Sequence, residues 1–115
     1  RVVAAFHHLT KAESYADPDI QEWERRNREF HLALVSCCDS PWLMRFHEIL
    51  YDQHKRYRNV ARIERGKRRD VHAEHTAIFD AALRRDIDAL CRANEQHIRR
   101  TAEITGEVLA EHAAG

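Results

Sequence analysis

Four side chains in this sequence could together hold a metal ion: the amide of Asn27 and the imidazoles of His31, His75 and His97. Neutral imidazole nitrogens are common ligands of Zn²⁺ and neighbouring divalent ions, and an amide oxygen can add a further donor. Asn27 and His31 lie four residues apart, so both side chains leave one face of a helix. That face is otherwise apolar, and buried polar groups need a partner. The pattern predicts a divalent metal site, with Zn²⁺ as the first choice and Ni²⁺ or Mn²⁺ as alternatives.

The three histidines occupy equivalent places, each near the middle of an apolar stripe on a different predicted helix. One histidine on such a stripe is usually a core residue satisfied by a hydrogen bond, and this is the competing interpretation for each of them alone. Inward-facing positions at mid-helix can converge in a helical bundle. Their coincidence therefore favours a shared metal over three separate core residues.

The elements that must position these side chains are all predicted to be helices. Glycine and proline are scarce, three and two residues, which favours an all-α chain with few tight turns. Asp17-Pro18 and Ser40-Pro41 are helix starts, because a capping oxygen precedes a proline whose missing N–H costs nothing there. Gly66, inside a basic run, marks a break. The predicted helices cover residues 1–15, 18–38, 41–64 and 68–85, and a fifth is capped by Asp86 and continues to about residue 111.

These helices predict an antiparallel helical bundle of five to six helices, forming one domain over residues 1–115. The apolar periodicity assigns an inward stripe to each helix. In the third helix the stripe contains Leu43, Phe46, Leu50, His54, Tyr57 and Ala61, with Arg58 at its edge. In the fifth helix it contains Ile87, Leu90, Cys91, Asn94, His97, Ile98, Thr101, Ile104 and Val108.

Three further polar residues could line the same cavity and contact a bound small molecule: His54, Arg58 and Asn94. An arginine at a core edge often extends to the solvent. If the cavity holds a small organic acid, however, the guanidinium of Arg58 would clamp its carboxylate. His54 and Asn94 could instead be hydrogen-bonded core residues. His7, His8, His47, His72 and His112 are predicted at the surface or in ordinary packing, and Cys91 in the core.

Composition narrows the class of protein. The formal net charge is zero, so the domain has no overall electrostatic attraction to nucleic acid or anionic lipid. No apolar stretch approaches the roughly 20 residues that a membrane span needs. The cysteines Cys37, Cys38 and Cys91 form neither a zinc motif nor a disulfide framework, which predicts a cytoplasmic protein.

Enzymatic metal sites fit this sequence less well. No histidine follows a glutamate by three residues, and His72-Ala73-Glu74-His75 is not the zinc-protease motif. Helical periodicity directs Glu29 and Glu74 away from the stripes, leaving no general base, so we expect a protein that is not an enzyme. The alternatives are a metal-dependent hydrolase-like helical domain and a metal-free helical interaction domain.

Several stretches, taken in order, resemble the FCD domain, the ligand-binding C-terminal domain of FadR-type regulators in the GntR family. The matching stretches are Trp23…Asn27-x-x-Phe30-His31-x-x-Leu34, Ser40-Pro41-Trp42-Leu43, Tyr51-Asp52-Gln53-His54-Lys55-Arg56-Tyr57-Arg58, Glu74-His75-x-x-Ile78-x-x-Ala81, Asp86…Ala89 and His97-Ile98. The resemblance extends from Trp23 to about Ile104.

The resemblance implies a helical bundle that holds a metal through Asn27, His31, His75 and His97, although the family more often has Asp in place of Asn27. It also implies a homodimer and a winged helix-turn-helix domain upstream of this chain, through which the complete protein would bind DNA. The expected function is an effector-sensing domain in which a small organic acid modulates DNA binding.

Overall fold

The computed structural model describes residues 1–17, 19–36, 39–65 and 70–114, and this part of the chain is all-α, as predicted. No helix in these ranges is long and apolar enough to cross a membrane. The described residues form the helices α1 (Val2–Glu13), α2 (Ile20–Leu34), α3 (Pro41–Arg65), α4 (Val71–Leu83) and α5 (Ile87–Ala114).

Helix starts follow the predicted capping chemistry with one correction. The predicted Asp17 cap is wrong: α2 begins at Ile20, and Asp19 accepts hydrogen bonds from the amides of Gln21 and Glu22 at 3.0 and 3.3 Å. Two other predicted caps are confirmed, since Ser40 and Asp86 accept from the amides three residues later. The predictions for Pro18, Cys38 and Gly66 lie outside the described residues.

The chain divides into two compact units, Arg1–His47 and Glu48–Gly115, with the boundary inside α3. In the first unit α1 packs against α2. Glu13 at the end of α1 accepts a hydrogen bond from the indole of Trp23 near the start of α2. The rings of Phe6 and Phe30 lie 5.7 Å apart near the other end. These two contacts make α1 and α2 an antiparallel hairpin. Its buried apolar side chains are Ala5, Leu9, Ala12, Trp23, Phe30 and Ala33.

In the second unit α4 and α5 form another helical hairpin. The turn between them contains Arg85, a non-glycine residue with a φ of 55°. The amides of Arg85 and Asp86 donate to the carbonyls of Ala82 and Ala81, a Schellman end that satisfies the last carbonyls of α4. The turn therefore fixes where α5 starts relative to α4.

The second unit also contains the C-terminal part of α3, which contacts α5. Ala61 packs with Ile104 and Val108 of α5 in an apolar cluster. The hydroxyl of Thr105 donates to the carbonyl of Tyr57 at 2.9 Å and also bonds the carbonyl of Thr101. This part of α3 is therefore held against α5 by both apolar packing and a hydrogen bond.

The predicted inward stripe of α3 is wrong over most of its length. Leu43, Phe46, Leu50 and Tyr57 are exposed, with Leu50 at 67%. Ala61 is buried, as predicted. In α5, Ile87 and Ile98 are likewise exposed, whereas Thr101, Ile104 and Val108 are buried as expected. The stripe of α3 fails because apolar residues occupy several sides of its first half, so periodicity alone does not select one face.

Candidate metal centre

The amide of Asn27 and the imidazole of His31 are both buried on α2, as the spacing predicts. Asn27 is 1% exposed and His31 is 8% exposed. They share the buried side of the helix with Trp23, Phe30 and Ala33, and the ring of His31 meets that of Phe30 edge to face. One turn of helix therefore presents an oxygen donor and a nitrogen donor from the same apolar face.

The imidazoles of His75 on α4 and His97 on α5 meet within the second unit. Their ring centroids are 4.7 Å apart at an interplanar angle of 61°. His75 is completely buried and His97 is 8% exposed. A ring nitrogen of one lies within 4.8 Å of a ring nitrogen of the other, close enough for both to serve one ion. The hairpin thus brings together two of the predicted ligands from helices separated by a turn.

The sequence prediction missed Glu74, which belongs to this site. Its Oε1 lies 2.9 Å from Nδ1 of His97, so the expectation that Glu74 points away from the histidines is wrong. The expectation for Glu29 holds, because it is exposed and paired with Arg26. Glu74 was missed because its direction was judged on α4 alone, whereas α5 packs on that flank. The only sequence signal was its position beside His75.

The three predicted effector-binding residues all lie in the second unit. Arg58 is buried, at 9% exposure, so it does not extend to the solvent. Its Nη1 donates to the carbonyl of Tyr51 at 3.2 Å, and its guanidinium carbon lies 4.1 Å from the centroid of the Tyr51 ring. His54 is partly buried with its ring edge-to-face on Tyr57. Asn94 is partly buried, one turn before His97 on α5. Arg58 is thus a cation kept inside the protein.

The other histidines fit their predicted peripheral roles, but Cys91 does not fit its predicted place in the core. His7, His8 and His112 are exposed, and Nδ1 of His112 donates to the carbonyl of Val108. His47 and His72 are partly buried. Cys91 is exposed on α5. The prediction for Cys91 fails because the start of α5, including Ile87, is largely exposed.

A groove of about 550 Å³ runs along α4 and α5 and reaches both Glu74 and His97. Its other lining residues mix acidic, basic and small side chains: Asp70, Ala73, Ala77, Ala93, Gln96, Arg99, Arg100 and Glu103. Arg100 pairs with Glu103 at 3.3 Å along one wall. The carboxylate that contacts His97 is therefore next to the solvent, while His75 behind it is fully buried.

The described side chains fit a divalent cation in chemical type. His31, His75 and His97 supply nitrogen donors and Asn27 supplies an amide oxygen, all from buried positions. The close approach of His75 and His97 is the geometry that a shared ion needs. A carboxylate bonded to the non-ligating nitrogen of a histidine is a common arrangement around protein metals. The set of donors suits Zn²⁺ and does not exclude Ni²⁺ or Mn²⁺.

The fold and the buried histidines define an all-α domain with a candidate metal centre, and sequence comparison identifies its family. The chain matches the FCD domain family over residues 1–100, and it belongs to that family. The match includes α1, which lies before the stretch on which the resemblance was based.

Two curated relatives are transcriptional regulators. The chain is 37% identical over 108 residues to the uncharacterized HTH-type transcriptional regulator BphR of Paraburkholderia xenovorans (strain LB400), covering 90% of this chain and 44% of BphR. It is 30% identical over 117 residues to the HTH-type transcriptional repressor GlaR of Escherichia coli (strain K12), covering 95% of this chain and 52% of GlaR. The chain thus spans about half the length of these relatives. No solved structure matches it.

Proposed function

We propose that this chain is the effector-sensing domain of a cytoplasmic transcriptional regulator, and that it binds a divalent metal together with a small organic acid. The observation that carries the proposal is the buried pair His75 and His97, brought together from two helices with Glu74 bonded to one of them. FCD family membership and the two regulator relatives support the regulatory role.

The proposed metal ligands are Asn27, His31, His75 and His97. All four are buried, and their amide oxygen and imidazole nitrogens are donor types that divalent ions bind. Asn27 and His31 present their donors from one face of α2, and His75 and His97 present theirs from the α4–α5 hairpin. When bound, the ion supplies a positively charged, Lewis-acidic centre that attracts a carboxylate.

Arg58 is the proposed clamp for the acid, with His54 and Asn94 as further contacts. A buried guanidinium keeps its charge and presents several N–H donors in a fixed plane that matches a carboxylate. The carbonyl and ring of Tyr51 orient the guanidinium before any acid arrives. This pre-organisation reduces the entropy lost on binding.

In the complete regulator, acid binding would change how a homodimer places its two DNA-reading domains. Such coupling requires that the acid bind one arrangement of the domain more tightly than the other. The helix-turn-helix domain, the dimer and the DNA site are all part of this proposal, and the two HTH-type regulators to which the chain is similar support the first and the third.

Isothermal titration calorimetry with a panel of small mono-, di- and hydroxycarboxylates tests the sensing function. We expect at least one acid to bind the zinc-loaded chain and to bind much more weakly after chelation. Arg58→Gln should weaken the binding of that acid by roughly tenfold or more, because a charged hydrogen bond is lost. Arg56→Gln, on the exposed side of the same helix, is the matched control and should bind normally. If no acid in the panel binds the zinc-loaded chain, the proposal is contradicted.

Glu74 is the one observation that favours a second candidate, a metal-dependent hydrolase, because a carboxylate beside a metal-binding histidine can act as a general base. Hydrolysis of a model ester that requires zinc, and that disappears in Glu74→Gln even when zinc saturates the variant, would support it. The metal-free interaction domain is the third candidate, and elemental analysis separates it from the other two.

A further inference from the structure

The hydrogen bond between Glu74 and His97 determines which nitrogen of His97 is available to a ligand. An ionised carboxylate only accepts hydrogen bonds, so Nδ1 of His97 must carry the proton in the 2.9 Å contact. In a neutral imidazole with a proton on Nδ1, Nε2 holds the lone pair. The contact therefore specifies one of two tautomers and fixes the plane of the ring.

We propose that Glu74 is a positioning residue that holds His97 in its Nδ1–H tautomer with Nε2 ready to bind the metal. The inference deepens the proposed metal site and rests on it. Its second consequence concerns charge: Asn27 and the three imidazoles are neutral donors, so none of them balances a divalent cation. The carboxylate of Glu74 places a negative charge beside Nδ1 of His97 and increases the basicity of Nε2 on the same ring.

The surroundings of Glu74 suit this role. Its side chain is 24% exposed and that of His97 is 10% exposed, so the hydrogen bond is partly shielded from water. Glu74 lies in the first turn of α4, whose helix dipole favours a negative charge. Asp70 caps the same helix through the amide of Ala73, which fixes the turn that carries Glu74. The start of α4 therefore fixes the position of the carboxylate and favours its negative charge.

Glu103 provides a matched control within the same groove. It also lines the α4–α5 groove and also pairs with a cation, Arg100, but it lies on α5. Glu103→Gln removes the same charge as Glu74→Gln. A general electrostatic effect of the groove would act on both variants, whereas a positioning effect would act only on Glu74→Gln.

The test combines ring-nitrogen NMR with metal affinity. Long-range ¹H–¹⁵N spectra of the ¹⁵N-histidine-labelled, metal-free chain report each tautomer, and the His97 signals are assigned by their absence in His97→Gln. We expect the Nδ1–H form of His97 in the wild type and in Glu103→Gln, and a mixture of tautomers in Glu74→Gln. Competition with a zinc chelator should show affinity weakened about 10- to 100-fold in Glu74→Gln and unchanged in Glu103→Gln.

Each contrary result has a separate meaning. An Nε2–H form of His97 in the wild type, or the same tautomer and zinc affinity in Glu74→Gln, would overturn the inference. Weaker zinc binding with an unchanged tautomer would also overturn it, because Glu74 would then act through its charge or as a direct ligand and not by positioning His97. A wild-type chain that binds no zinc contradicts the metal site itself, and the tautomer measurement on the metal-free chain still decides whether Glu74 positions His97.

Discussion

His75 on α4 and His97 on α5 meet edge to face, with ring centroids 4.7 Å apart inside one helical hairpin. Two buried imidazoles this close can offer ring nitrogens to the same cation, and neutral imidazole nitrogens are common ligands of divalent ions. This relationship is the reason to interpret the polar residues as a binding site. Each of the following predictions tests one part of the structure on which that site depends.

The buried face of the first unit can be tested against the exposed stripe of α3. Phe30→Ala should lower the free energy of unfolding by about 3–5 kcal/mol, because it leaves a cavity around a fully buried ring. Leu50→Ala should change it by no more than about 0.5 kcal/mol, because Leu50 is exposed. Urea denaturation followed by circular dichroism measures both. A large loss of unfolding free energy in Leu50→Ala would contradict its exposure and indicate that Leu50 is buried in the core.

The start of α2 can be tested with two neighbouring aspartates. Asp19→Ala should lower the free energy of unfolding by about 1 kcal/mol, because two amide donors lose their acceptor. Asp17→Ala should leave the free energy of unfolding nearly unchanged, since Asp17 is exposed and lies before the cap. Thermal denaturation of the two variants gives the comparison. Equal losses in both would contradict the assignment of Asp19 as the cap.

The turn between α4 and α5 should gain stability from glycine. Arg85 has a φ of 55°, a conformation that costs an L-residue roughly 1 kcal/mol and costs glycine little. Arg85→Gly should therefore stabilise the chain, by up to about 1 kcal/mol. Arg84→Gly, at an ordinary φ of −75°, should destabilise it by about 0.5–1 kcal/mol through backbone entropy. Denaturant titration that shows opposite signs for the two variants confirms the turn geometry, and equal signs refute it.

A pH dependence follows from the charge cluster on α2. The hydrogen bond from Arg26, with Arg25 nearby, holds the pKa of Glu22 below its ordinary value of 4.5. A carboxylate with a lowered pKa in the folded state stabilises the protein above its unfolded pKa and loses that contribution as the pH falls through its folded pKa. The stability difference between the wild type and Glu22→Gln should therefore shrink on acidification and in about 1 M salt. A difference that grows toward low pH would contradict this pairing.

The sequence was sufficient for the helices and for the burial of the four proposed ligands, but not for how neighbouring helices meet. The α2 face with Asn27 and His31 follows from spacing alone, and its burial is confirmed. Glu74 was misassigned because a helical wheel describes one helix, and its partner His97 lies 23 residues away on another. Arg58 was placed at a core edge, and the structure buries it with its guanidinium over the ring of Tyr51, which lies two turns earlier on α3. The contact between Glu74 and His97 depends on how α4 packs against α5, which the periodicity of a single helix does not contain.

The central proposal is that Asn27, His31, His75 and His97 would together hold one divalent ion, and equilibrium dialysis against Zn²⁺ followed by metal analysis tests it most directly. We expect a single zinc ion per chain in the wild type and in the control His8→Gln, whose side chain is exposed. His31→Gln and His97→Gln should each lose the ion while keeping the helical circular dichroism of the wild type. A wild-type chain that retains no zinc, or both variants retaining it at full occupancy, would contradict the account.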